Sequence, residues 1–133
     1  MKLTDIITEG SNMYTAYVLD NASRLTLAEK FPPKYPNFIG HHVTVQFGVP
    51  KDTPPPPPAN LKVVGYADSG DGLEALVVAV DGETERPDGK IYHITWSLDD
   101  TKYKPVDSNN LLASNKYTLK RAVPFQAQPE VLR

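Results

Sequence analysis

Polar and apolar residues alternate twice in the chain with the period of an extended strand. In "GHHVTVQFG", residues 40 to 48, His42, Thr44 and Gln46 fall on one side. His41, Val43, Val45 and Phe47 fall on the other. In "YHITWS" and the leucine after it, His93, Thr95 and Ser97 oppose Tyr92, Ile94, Trp96 and Leu98. Each stretch predicts a strand with a polar His-x-Thr face and an apolar row behind it. In this phase His42 and His93 belong to the polar faces, and His41 belongs to the core.

The remaining pattern predicts an α+β chain rich in strands. "MYTAYVLD" (13 to 20) is β-branched and aromatic and reads as a strand. Asp20 or Asn21 then caps a helix through "ASRLTLAEKF", with Leu25, Ala28 and Phe31 on its apolar face. Pro32-Pro33 ends that helix, because proline supplies no donor and clashes with a continuing turn. "PPKYPNFIG" follows as an extended loop. Residues 54 to 58, "PPPPP", read as a stiff polyproline II surface segment. "LKVVGYA" and "LEALVVAV" flank "DSGDG" as a hairpin, and Leu73 to Val80 is apolar enough for a central strand. "DGETERPDGK" is a polar excursion before the second histidine strand. "DSNNLLAS" predicts a short helix capped by Asp107 or Ser108, and "YTLKRAVPF" a final strand, with no assignment for the tail.

Composition narrows the class. At 133 residues the chain fits one domain, since domains run roughly 100–200 residues. No cysteine is present, so disulfide and thiolate chemistry are excluded, and a cytoplasmic setting is expected. The net charge of −2 argues against a grip on long nucleic acid, so an anionic partner is expected to be small. "MKLTDIITEG" lacks the apolar run of a signal peptide, and no stretch reaches the ~20 apolar residues of a membrane span.

The paired His-x-Thr strings suit phosphodiester cleavage. Such a reaction needs a base to deprotonate the nucleophile and an acid to protonate the leaving oxygen. Imidazole, with an ordinary pKa near ~6.5, serves as either at neutral pH. Threonine hydroxyls two residues along the same face can donate to the non-bridging oxygens. One copy supplies half a site and two supply a whole one: His42, Thr44, His93 and Thr95. No metal is expected, because His41 and His42 face apart on a strand and leave two ligands where zinc takes three or four. G-x-S-x-G, P-loop and G-x-G-x-x-G signals are absent.

"HVTV" (42 to 45) and "HITW" (93 to 96) resemble the H-h-[TS]-h motifs of the two-histidine (2H) phosphoesterase superfamily, where h is hydrophobic. The order of strand, helix, motif, strands and motif is also similar over about residues 13 to 120. The resemblance implies a bilobal fold with mainly antiparallel concave sheets, a cleft lined by both motifs, and no cofactor. "FPPKYPNFIGHHVTVQFG" and "YHITWSLDDTKYKPVDSNNLL" resemble the phage anti-CBASS branch, whose members degrade cyclic oligonucleotide immune messengers. This implies a metal-independent phosphodiesterase acting on cyclic di- or trinucleotides in the cytoplasm of an infected bacterium. The alternatives are a 2′,3′-cyclic phosphodiesterase for RNA ends or small cyclic phosphates, and a non-catalytic cyclic-nucleotide sponge. Tyr14 and Trp96 are the chosen candidates for stacking on a base, with Tyr17 and Tyr92 behind them. Lys90, Lys102, Lys104 and Lys120 are candidates for phosphate.

Overall fold

The computed structural model describes residues 12–114 and 117–133, so the lead-in at residues 1 to 10 lies outside the described residues. In chain order come β1 (Tyr14–Leu19), α1 (Asn21–Lys30), β2 (Asn37–Phe38), β3 (His42–Phe47), β4 (Leu61–Asp68) and β5 (Leu73–Val80). β6 (His93–Leu98), α2 (Asp107–Ala113), β7 (Thr118–Phe125) and β8 (Ala127–Leu132) complete it. The strands form one antiparallel sheet in the order β7-β4-β5-β6-β3-β1-β8, and β2 pairs with β6 beside that path. β7 and β8 end the path on opposite sides, yet only Gln126 separates them in sequence. The sheet therefore curls into a half-barrel whose two edges converge at that residue. Gln126 is held there by its N–H on Ser23 Oγ at 2.7 Å and by its carbonyl, which accepts from Asp20 N–H at 3.2 Å.

The α+β architecture, with two helices among the described residues and a dominant antiparallel sheet, agrees with the sequence pattern. β8 was not foreseen, because Pro129 interrupts its strand signal. Proline is tolerated there since β8 is an edge strand paired only with β1. Asp20 caps α1 as expected, accepting from Ser23 N–H at 2.7 Å. The buried face of that helix is different: it carries Ser23 and Leu27, while Leu25 is 54% exposed. Docking of Ser23 onto Gln126 rotates the helix so that the Ser23–Leu27 stripe meets the sheet. α2 forms at the predicted place, but with Val106 as its cap and no capping side chain. Asp107 instead accepts from Lys104 N–H at 2.8 Å.

Every residue of β5 and β6 is buried. One face of the sheet packs Val43, Leu76, Val78, Ile94 and Trp96 against Leu27 of α1. The other packs Ala67, Ala75 and Val77 against Leu112 of α2. Burying each large apolar side chain of this kind is worth about 1.5–3 kcal/mol relative to exposure. Trp96 belongs to the first cluster with no exposed surface; its indole N–H donates to Phe31 O at 2.7 Å and Phe38 meets it edge-on. It therefore presents no free π-face, and the expectation that it stacks on a base is corrected. Tyr17 and Tyr92 are likewise buried, and the Tyr17 hydroxyl donates to Pro57 O at 2.7 Å, pinning the proline run to the sheet.

The apolar reading of β5 overlooked Glu74, which is 1% exposed. Its carboxylate accepts from the Ser97 and Tyr66 hydroxyls and from Lys34 N–H at 2.9 Å. This polar knot fastens the loop after α1 to the sheet, just ahead of β2 and the first motif. Among the described residues no helix is long and apolar enough to cross a membrane.

Candidate active site

The two motifs meet at a seam. β3 and β6 share one paired position, Val43 with Ile94. Antiparallel pairing around that point sets His42 across from Thr95 and Thr44 across from His93. Both His-x-Thr faces line one cavity of about 650 Å³, which also takes in Tyr14, Phe47, Arg86 and Asn109. The apolar partners Val43 and Ile94 are fully buried behind them, so the wall carrying the four side chains is rigid. The arrangement is pseudo-symmetric: each histidine has its own threonine two residues on and the other motif's threonine opposite.

Each histidine is held by its Nδ1. In His93 that atom lies 2.8 Å from Ile91 O. A carbonyl only accepts, so Nδ1 carries the proton, and the neutral ring has its lone pair on Nε2. In His42, Nδ1 lies 2.9 Å from Nδ1 of His41. Burial above all, then the neighbouring His41 and His93, pushes the His42 imidazole down to about 4. His93 also sits below its ordinary value, chiefly through burial, with Arg86 adding to the effect and the Ile91 carbonyl opposing it. Both rings are thus held neutral around pH 7.

The threonines are not equivalent. Thr44 is half-buried and opens onto the cavity. The Thr95 hydroxyl lies 2.9 Å from the Ser108 hydroxyl and 3.2 Å from Pro105 O. The single Thr95 proton is donated to Pro105 O, so Thr95 can give it to a substrate oxygen only by turning away from that carbonyl while Ser108 donates to it in turn. Ser108, considered above as a cap, is therefore a support for the second motif.

Of the lining residues that escaped the sequence reading, three bear on the chemistry. His41 is exposed and precedes β3, with its ring turned edge-on to His42, so its assignment to the core is corrected. Gly40 just before it has φ +48°, a left-handed conformation that breaks the alternation. Phe47 was placed on the apolar row but is 60% exposed at the cavity, stacked against Tyr14 with ring centroids 5.9 Å apart. The reason is a bulge: Tyr14 pairs with Phe47 and Thr15 with Gln46, but Ala16 pairs with Thr44, leaving Val45 as the extra residue. The phase flips there, so Phe47 rather than Gln46 joins Thr44 on the cavity face. Tyr14 itself stands at the cavity as the sequence suggested, 5.3 Å from the His42 ring.

Arg86 is the third. Residues 86 to 90, "RPDGK", make a tight turn in which Arg86 N–H donates to Lys90 O at 2.7 Å and Gly89 takes φ +86°. The turn sets Arg86 and Lys90 side by side in the cavity lining, close to His93. The Arg86 side chain is only 4% exposed; its Nη2 donates to Asp88 Oδ2 at 2.6 Å. Its Nε is buried and meets no acceptor among the described residues. Such an unsatisfied buried group costs about 1–3 kcal/mol. The turn signature Pro87-Asp88-Gly89 was the available signal. Of the lysines singled out, Lys90 lines the cavity; Lys102 instead donates to Asp71 O at 3.3 Å, and neither Lys104 nor Lys120 is part of the lining.

Among the described residues, the charged ones lining the cavity are Arg86 and Lys90, with no carboxylate, although the chain as a whole is net negative. Among the described residues no set of three or more histidine, cysteine or carboxylate side chains is arranged to hold a metal ion. The lining thus combines three imidazoles, of which His42 and His93 lie on the motif faces, with hydroxyl donors, two cations and an aromatic pair. No protein-family model, curated protein or solved structure matches the chain.

Proposed function

We propose that the chain is a two-histidine phosphoesterase that cleaves phosphodiester bonds in cyclic di- or trinucleotides without a metal, in the manner of the anti-CBASS enzymes. The observation that carries this reading is the seam itself: two His-x-Thr faces opposed across Val43 and Ile94 in one cavity to which Arg86 and Lys90 add positive charge. The Tyr14–Phe47 pair offers π-faces suited to a nucleobase.

In this reading His93 begins as base, because its Nδ1–H is committed to Ile91 O and its Nε2 is free to accept. It takes the proton of the ribose 2′-hydroxyl, and O2′ attacks phosphorus. The bond from phosphorus to O5′ breaks, and His42 gives a proton to O5′. Thr44 and, with Ser108 donating behind it, Thr95 hold the non-bridging oxygens as negative charge grows. A bound phosphate raises the proton affinity of both imidazoles, offsetting the effect of burial and letting His42 carry the proton it gives. The 2′,3′-cyclic product can be opened by water with the two roles exchanged. Acid–base catalysis of this kind contributes roughly 10²–10⁴-fold.

The test is incubation of the protein with a panel of cyclic di- and trinucleotides in excess EDTA, read by mass spectrometry. Linear products support the reading. Intact messengers together with hydrolysis of 2′,3′-cyclic mononucleotides move the assignment to RNA ends. Tight binding without turnover makes the protein a sponge.

A further inference from the structure

Taking the proposed phosphodiesterase reading as its basis, a second feature of the cavity remains unused. The reacting phosphate is fully served by the two motifs, which supply base, acid and hydroxyl donors. Arg86 and Lys90 stand apart from that set, on the 86–90 turn rather than on β3 or β6. A guanidinium that is 96% buried normally has its N–H groups met by acceptors. Here Asp88 takes Nη2, and among the described residues Nε meets no acceptor and no carboxylate lines the cavity to complete the match. Lys90 adds a second positive charge beside it.

We propose that Arg86 and Lys90 form a second anion subsite, which holds a non-reacting phosphodiester of the same substrate while its neighbour is cut between His42 and His93. The arginine presents a planar, permanently charged donor and the lysine a mobile one, a pair suited to a phosphate monoanion. A cavity of about 650 Å³ lies mid-range for sites that enclose most of a small-molecule ligand. The subsite makes the enzyme selective for substrates carrying two or more phosphodiesters in a closed ring. Substrates with one phosphate leave it empty.

The experiment compares a 3′,3′-cyclic dinucleotide with the dinucleoside monophosphate ApA, which has the same 3′–5′ link and only one phosphate. The kcat/KM ratio of the two is measured for the wild-type chain, Lys90→Gln and Arg86→Gln. The expected result is a ratio that falls roughly tenfold in Lys90→Gln and further in Arg86→Gln, carried by KM. An unchanged ratio with both substrates impaired together overturns the subsite and assigns the pair to the reacting phosphate. Lys90 is exposed, so its variant keeps the test decisive where Arg86→Gln fails to fold. If the wild-type chain cuts neither substrate, the phosphodiesterase reading fails on its own. Calorimetric titration of both compounds into wild type and Lys90→Gln then decides the subsite, which falls if Lys90→Gln leaves cyclic dinucleotide affinity unchanged.

Discussion

The Nδ1 atoms of His41 and His42 lie 2.9 Å apart. At that separation one must donate and the other accept, so the facing atoms hold one proton between them. His41 is exposed, which lets it exchange that proton with solvent while His42 stays in the cavity. Replacing His41 by alanine is expected to change stability by less than about 0.5 kcal/mol, as at other surface positions. It removes a repulsive neighbour, so the His42 titration followed by NMR moves upward. A large loss of stability with an unmoved His42 titration returns His41 to the core.

His42 also makes stability pH-dependent, and the sign follows from its depressed value. Unfolded, the ring titrates near 6.5; folded, at about 4. Between these values the unfolded chain binds more protons, so the contribution is whole above pH 6.5 and is lost as pH falls toward 4. At about 1.4 kcal/mol per pKa unit the loss is about 3 kcal/mol, and His93 adds in the same direction. Denaturant unfolding from pH 7.5 to 4, compared between wild type and His42→Asn, isolates the term. Parallel curves for the two proteins refute it.

The division of roles between the histidines is expected to show in the leaving group. With a cyclic dinucleotide, His42→Ala and His93→Ala each lose roughly 10²–10⁴ in rate. With uridine 3′-(4-nitrophenyl phosphate) the leaving phenolate needs no proton, so His42→Ala recovers to within about tenfold of wild type. His93→Ala stays impaired, because O2′ still needs a base. Recovery by His93→Ala instead reverses the assignment.

How far these roles were legible depends on what places each side chain. His42, Thr44, His93 and Thr95 were readable because strand alternation is local and survives from residue 42 to 44 and from 93 to 95. Phe47 was not, because the extra residue Val45 reverses the phase, and a bulge leaves no mark in a β-branched run. Trp96 was readable as a strand residue, but its burial depends on the Phe31 carbonyl, 65 positions away in sequence. Arg86 and Glu74 are decided by tertiary partners. One sits beside a turn that reads as exposed, the other in a strand that is otherwise apolar.

Gly40 joins the fold to the site, and its replacement tests that join. Its φ of +48° interrupts the extended chain between β2 and His41, which run the same way along β6, and it is a conformation costly to any residue with a Cβ. A Cβ there also falls 2.7 Å from Phe38 Cε1 and 3.0 Å from Trp96 Cζ3, two rings locked edge to face. Trp96 is fully buried and hydrogen-bonded, so the strain is relieved on the side of residues 38 to 42. Gly40→Ala is expected to cost about 1–3 kcal/mol in denaturant unfolding. It also lowers kcat/KM well beyond what the lost stability explains, since displacing His42 by about 1 Å costs on the order of 10² in rate. A Gly40→Ala protein with wild-type stability and turnover would show that this turn does not position the first motif.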